Sequence, residues 1–232
     1  MNAEIVIEFL SELQQNNNRD WFQSNKEYYL EAKNEVEAFV NHLIPALMKI
    51  DKTILPLTAK ECMFRIYKDI RFSTDKSPYK INFGAYIARG GRKSIFPGYY
   101  IHFENDNSFL SGGIYMPQPD VLKAIRKEIF ENIDEFKSII KNENFKKYLG
   151  TMDDESKLSR APKDFPADFP DRDLLKFKNY FCIHPVKNKL VNSDKYLEYA
   201  ITVFKAMLPL NKFLNEAIEK MLESKGEEDI IL

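Results

Sequence analysis

The residues of this chain best equipped for chemistry lie between positions 65 and 80, in the run Arg-Ile-Tyr-Lys-Asp-Ile-Arg-Phe-Ser-Thr-Asp-Lys-Ser-Pro-Tyr-Lys. Arg65, Lys68, Arg71, Lys76 and Lys80 are balanced within it by only two acids, Asp69 and Asp75, and Tyr67, Phe72 and Tyr79 stand between them. Arginine offers a planar fork that grips carboxylate or phosphate, and lysine a compact point charge. If the chain leaves a strand at Arg65 and returns to one at Lys80, these donors converge near the end of a sheet, where ligands often sit. Asp69 would then orient Arg71, and Tyr79 would line the pocket. The plainer reading is an ion-pair network that holds a long loop, with both acids as internal partners.

Three further places could carry chemistry. Tyr100, His102 and Glu104 recur at period two and so share one face of a strand. A His and a Glu at that spacing suit a metal or an acid–base pair. No third ligand lies near them in sequence, so a structural histidine and no metal is the expectation. Ser111-Gly112-Gly113 in a strand context marks a bulge or a close approach by another backbone, a helix or a ligand. Arg126 lies one turn past Leu122 on the next helix and can lean toward the sheet end or into solvent. The chain has no Gly-x-Ser-x-Gly elbow, no His-Glu-x-x-His and no Cys–His pairing of recognisable spacing.

The elements that must position these residues can be read from hydrophobic period. Residues 4–15 read as a helix with Ile5, Phe9, Leu10 and Leu13 on one face, ended by Asn16-Asn17-Asn18. Asp20-Trp21-Phe22 reads as a short aromatic plug. A long helix comes next over 26–49, with Tyr29, Ala32, Val36, Phe39, Val40, Leu43 and Leu47 as its stripe and Pro45 expected to bend or end it. From 58 to 116 the period turns to two. Cys62, Phe64 and Ile66 alternate with Met63, Arg65 and Tyr67, and further strands are expected over 81–88, 99–104 and 109–115, with Gly90-Gly91 as a hairpin signal. Asp120 is expected to cap a helix carrying Val121, Leu122, Ile125 and Ile129, and another helix to run through Phe136 and Ile140 toward Gly150. Residues 151–172, broken by Pro162, Pro166 and Pro170, form a loop pinned by Phe165 and Phe169. A last strand covers 180–186, and an amphipathic helix runs from about Ser193, broken at Pro209 and capped by Gly226 before an acidic tail. The expectation is one α+β domain over 1–232: an antiparallel sheet of about five strands against N-terminal, central and C-terminal helices.

Composition bounds the partners. With 44% hydrophobic and 30% charged residues, the chain is of ordinary globular type. A net charge of −1 argues against bulk attraction to nucleic acid or acidic membrane, leaving only a local basic patch. Cys62 and Cys182 are isolated in apolar settings, which suggests buried side chains in a reducing compartment. No apolar run approaches the roughly 20 residues needed to span a bilayer, and the first residues lack the pattern of a signal peptide. The expectation is a cytoplasmic protein with no membrane partner.

The run Arg65-x-x-Lys68-Asp69-x-Arg71-Phe72, continued by Asp75-Lys76-x-Pro78-Tyr79-Lys80, resembles the hallmark of a bacterial family called domain of unknown function 2461. Asn18, Trp21, Phe22 and Tyr29 resemble its N-terminal stretch, and Gly98-Tyr99-Tyr100 and Gly112-Gly113-x-Tyr115-x-Pro117 its central strands. Arg126 falls where a helical arginine is expected, and Leu174-Leu175 and 209–214 resemble the C-terminal part. The family pattern has arginine more often at the position of Lys68; lysine keeps the charge and loses the fork. The resemblance covers nearly the whole chain and implies no substrate, reaction or cofactor.

The leading expectation is therefore a small-anion-binding domain centred on 65–80, with Arg65, Arg71 and Lys80 on a phosphate or carboxylate. Lys68, Asp69, Lys76, Tyr79 and Arg126 complete the candidate set. A first alternative is an enzyme acting on a phosphorylated or nucleotide-like metabolite, with Asp69, His102 and Glu104 as acid–base groups. A second is a nucleic-acid module that stacks bases on Tyr67, Phe72 and Tyr79, ranked lower because of the net charge. A third is a protein-interaction module.

Overall fold

The computed structural model describes residues 1–71, 73–152 and 157–226. Phe72, part of the 151–172 loop and the acidic tail lie outside the described residues. In chain order the elements are α1 (Ala3–Gln15), α2 (Arg19–Ser24), α3 (Lys26–Ile50), α4 (Ala59–Cys62), β1 (Phe83–Ala88), β2 (Gly98–Phe103), β3 (Phe109–Ile114), α5 (Pro119–Glu131), α6 (Ile133–Lys141), α7 (Glu143–Leu149), β4 (Tyr180–Pro185), α8 (Asn188–Val191) and α9 (Tyr196–Lys225). The fold is α+β, and the strands form one antiparallel sheet in the order β1-β2-β3-β4. No helix among the described residues is long and apolar enough to cross a membrane.

Among the described residues four strands stand where about five are expected. The missing one is the 62–67 segment. Thr58 donates its backbone N–H and its hydroxyl to the Glu61 carboxylate, both at 2.7 Å, and this cap draws Cys62 into α4. Beyond Cys62 the burial does not alternate: Met63 is buried, Phe64 and Arg65 are both exposed, and Ile66 is buried. Only two isolated antiparallel bridges remain, Met63 to Ala85 and Tyr67 to Tyr79.

Local chemistry accounts for the other differences. The Asn18 side chain accepts the Trp21 N–H at 2.9 Å and starts a helix where only an aromatic plug is expected. Pro45 lies inside α3, which continues to Ile50, and Pro209 inside α9, which continues to Lys225. An interior proline costs roughly 3 kcal/mol. Leu43, Ile44 and Leu47 beside Pro45, and Met207, Leu210 and Phe213 beside Pro209, are almost fully buried. At roughly 1.5–3 kcal/mol each, their burial outweighs the proline. Asp120 is not the cap of α5: Pro119 begins the helix, and the Asp120 carboxylate accepts its neighbour's N–H and pairs with Lys225 at 2.7 Å.

Contacts divide the chain into two compact units. The first comprises Met1–Lys93, Tyr99–Leu110 and His184–Val203. Its core alternates out of β2: Tyr99, Ile101 and Phe103 are fully buried, while Tyr100 and His102 point to the opposite face. Phe103 meets Phe39 edge-on at 5.7 Å, and the Tyr99 hydroxyl donates to buried Asp51 at 2.7 Å. Around Phe9 gather Trp21, Phe22, Tyr28, Tyr29 and Phe83, with ring centroids 5.4–6.5 Å away.

The second unit comprises Ser94–Gly98, Ser111–Ile183 and Phe204–Leu232. Phe136 packs on Phe213 at 5.3 Å, and buried Glu128 pairs with Lys220 at 2.7 Å. Of the described part of the 151–172 loop, Phe165 and Phe169 rest against Phe130, at 5.5 and 4.9 Å. The glycine pair marks close packing. A Cβ on Gly112 would stand 2.4 Å from Met207 Sδ, and one on Gly113, which has φ of 116°, would stand 2.1 Å from the Tyr180 carbonyl. Gly113→Ala is therefore expected to lower stability by about 2–3 kcal/mol, read as the midpoint of urea unfolding. Gly112→Ala should be destabilising too, because the new Cβ also lies 2.8 Å from Met207 Cβ, which moves only with the backbone of α9.

Candidate functional site

The 65–80 stretch is a loop closed at its base. Lys80 N–H donates to the Ile66 carbonyl at 2.8 Å and Lys68 N–H to the Pro78 carbonyl at 2.9 Å, on either side of the Tyr67–Tyr79 bridge. The Asn17 side-chain amide grips the Tyr79 backbone in both directions, donating to its carbonyl at 2.9 Å and accepting its N–H at 3.2 Å. The Tyr79 ring is only 7% exposed and lies stacked on Phe22 at 3.9 Å. Expected as a pocket wall, Tyr79 is placed as the anchor of the loop, while Tyr67 above it is 51% exposed.

Most of the loop's charge is committed within the loop. Lys68 donates to Asp75, which also accepts the Ser77 N–H at 2.8 Å and hydroxyl at 2.9 Å. Arg71 closes its fork on Asp69, Nε at 3.0 Å and Nη2 at 2.7 Å. Hydrogen bonds from Arg71 pull the Asp69 carboxyl down to about 2, and the Lys68 ammonium does the same for Asp75. Lys76 donates to the Ile70 carbonyl at 3.0 Å. Lys76 also helps line, with Asn17, Arg19, Asp20 and Pro78, an open depression of about 600 Å³.

Two cations stand apart from this network. Arg65 is exposed and Lys80 half-buried, and among the described residues neither bonds a carboxylate. The Lys80 pKa is lowered, first by burial and then by the Arg65 charge nearby. Its ammonium lies 5.6 Å from the centre of the Phe64 ring, within cation–π range. Phe64 in turn meets Tyr100 edge-on at 6.2 Å. The Arg65–Lys80 pair and the Tyr100 row are thus joined through a single aromatic ring.

The row itself is hydrogen-bonded end to end. The Tyr100 hydroxyl lies 2.9 Å from His102 Nδ1, and His102 Nε2 lies 2.8 Å from Glu104 Oε2. Burial lowers the His102 pKa, an effect that Glu104 opposes, so the ring is held toward its neutral form. A carboxylate only accepts, so the imidazole proton sits on Nε2 and Nδ1 accepts the Tyr100 hydroxyl proton. Phe109 stacks on His102 at 4.4 Å, and the Asn107 amide steadies Glu104 at 3.2 Å. Burial pushes the Tyr100 hydroxyl up to about 12, with the Glu104 charge adding to it.

Arg126 belongs to the second unit, where its Nη2 donates to the Phe177 carbonyl at 2.8 Å and its buried Nε has no hydrogen-bond partner among the described residues. Both cysteines are buried, and burial pushes the Cys62 thiol up to about 12. Among the described residues no group of three or more His, Cys, Asp or Glu is placed to hold a metal. Sequence reasoning missed Asn17, Phe64 and Gly84 as participants. The one signal was Gly84 itself, a glycine within a strand, which marks a close approach: a Cβ there would lie 2.3 Å from the Tyr100 hydroxyl oxygen.

The family model described as "Conserved hypothetical protein (DUF2461)" matches residues 5–213 of the 232, and the chain belongs to that family. No curated protein and no solved structure matches it.

This geometry leads to two expected outcomes. Asn17→Ala removes both bonds to the Tyr79 backbone and is expected to cost about 1–3 kcal/mol, measured by urea unfolding. For His102, the lowered pKa means the unfolded chain takes up a proton that the folded ring resists. Stability should therefore fall as pH drops from about 7 through the ordinary imidazole range near 6.5, before the carboxylates titrate. The decline should flatten in His102→Gln, followed as the urea midpoint against pH.

Proposed function

We propose that this protein binds a small phosphate or carboxylate anion between Arg65 and Lys80, with Phe64 as the apolar floor of the site. The observation that carries the reading is a pair of neighbouring cations, one half-buried, without a bonded carboxylate among the described residues, in a loop that pairs Lys68 and Arg71 internally. Two like charges repel, and burial raises the cost of keeping Lys80 charged. An anion between them relieves both effects. The Arg65 fork would grip two oxygens of the ligand and the Lys80 ammonium a third.

The test is a titration with inorganic phosphate at constant ionic strength, followed by thermal unfolding. At about 100 times its dissociation constant the ligand should stabilise the fold by about 2.7 kcal/mol. Arg65→Ala and Lys80→Met should abolish the response, whereas Arg71→Ala, whose fork is already closed on Asp69, should weaken it less. Lys80→Met should also raise the unfolding midpoint without ligand, because it removes a half-buried cation beside Arg65. An unchanged phosphate response in both Arg65→Ala and Lys80→Met would sink the proposal.

A further inference from the structure

An exposed aromatic ring stands beside the cations at the base of the loop. Ile66 is buried, while Arg65 and Tyr67 on either side of it are exposed, so these residues alternate and the guanidinium and the phenol leave the chain on one face. Asp69 continues the row and is exposed as well. Its carboxyl is pulled down first by hydrogen bonds from Arg71, and the Arg65 charge adds to this. The same charge acts on Lys80, after burial. Arg65 is thus within electrostatic reach of Lys80 and, across Tyr67, of Asp69.

Tyr67 is a platform held from below. Its ring is tilted against Tyr79 at 5.6 Å and Phe22 at 6.2 Å, it remains 51% exposed, and no ring among the described residues lies stacked on it. Backbone bonds of 2.8 and 2.9 Å flank its pairing with Tyr79, so the ring is in place before any ligand arrives and little freedom is lost on binding. The other described aromatics of the stretch are engaged: Tyr79 is stacked on Phe22, and Phe64 carries Lys80 and meets Tyr100. Arg65 and Tyr67 are two residues apart, about 7 Å along an extended chain, a spacing that one sugar bridges between a phosphate and a base.

We propose that the anion is the phosphate of a nucleoside monophosphate, held by Arg65 and Lys80, with its base stacked on Tyr67. This rests on the anion site proposed above and names its ligand. A base of any identity presents a flat face to such a ring. Asp69 does not oppose the phosphate, because the Arg71 fork covers both of its oxygens. A single platform takes a single base. Binding a strand calls for successive aromatic platforms along a basic groove, whereas here one ring of the described stretch is open and the chain carries a net charge of −1.

The test is calorimetric titration of the full chain with AMP, ribose 5-phosphate, inorganic phosphate and oligoadenylate at constant ionic strength. AMP should bind about tenfold more tightly than ribose 5-phosphate, which lacks only the base. Tyr67→Leu should bring AMP down to the level of ribose 5-phosphate and leave inorganic phosphate within about twofold, a split that loss of folding would not produce. Tyr67→Phe keeps the ring and should bind AMP like the parent. If the parent binds phosphate but holds AMP no better than ribose 5-phosphate, or if Tyr67→Leu binds AMP like the parent, the stacking is refuted and the anion site stands. Oligoadenylate bound far more tightly than AMP would make the ligand a strand and overturn the mononucleotide. If none of the small anions binds, both readings fall together.

Discussion

The grip on Tyr79 is the constraint on which the rest of the first unit's surface depends. A loop of fourteen residues between Arg65 and Lys80 has considerable conformational freedom, and closing it costs entropy that grows only slowly with length. Backbone pairing closes its base, and two contacts tie that base to the rest of the unit: the ring stack on Phe22 and the paired amide bonds from Asn17. Both partners come from the segment between α1 and α3. The Asn16-Asn17-Asn18 run therefore does three things at once. Asn16 ends α1, Asn18 starts α2, and Asn17 holds the loop. With the base closed, Arg65 and Lys80 stay near one another although their charges oppose it.

Electrostatics inside the loop sorts the charged residues into two kinds. Lys68, Asp69, Arg71 and Asp75 form exposed pairs, and pairs of that sort add little to stability because water screens them. Their effect is geometric: Asp75 also binds the Ser77 backbone and Asp69 the Arg71 backbone, so each pair fixes a turn. The ion-pair network and the proposed anion site thus draw on different residues of the one stretch. The paired charges shape the loop, and the two cations at its base are the ones the proposed anion would meet.

The sequence was informative where a single local rule decides the outcome. Apolar stripes located α1, α3 and α9, and period two placed Tyr99, Ile101 and Phe103 opposite Tyr100 and His102. Local rules failed where packing overrode them. Pro209 looks like a helix break and Pro45 like a bend or an end, but buried neighbours on both sides carry both helices past them. The 62–67 segment alternates in sequence yet does not form a strand, because the Thr58–Glu61 cap takes Cys62 away and Phe64 and Arg65 then both turn outward. The candidate site was legible as residue types rather than as pairings. That Lys68 would choose Asp75, seven residues on, and leave Lys80 without a carboxylate among the described residues depends on the turn at Ser77, which no periodicity reports.

The outward turn of Phe64 has a further consequence. In a regular strand Phe64 and Arg65 would lie on opposite faces, and Phe64 would not share its surroundings with both Lys80 and Tyr100. The break in alternation lets one ring touch a cation on one side and a phenol on the other. Gly84 then permits the phenol to lie flat against β1 instead of standing away from it. The ring thus lies against a half-buried ammonium and a largely buried tyrosine–histidine pair, where burial makes charge effects stronger than on an open surface. A fold optimised only for stability would place a carboxylate beside Lys80 or an aliphatic residue in its place. Keeping the cation there, over an aromatic floor and next to a second cation, is the arrangement that the proposed anion site calls for.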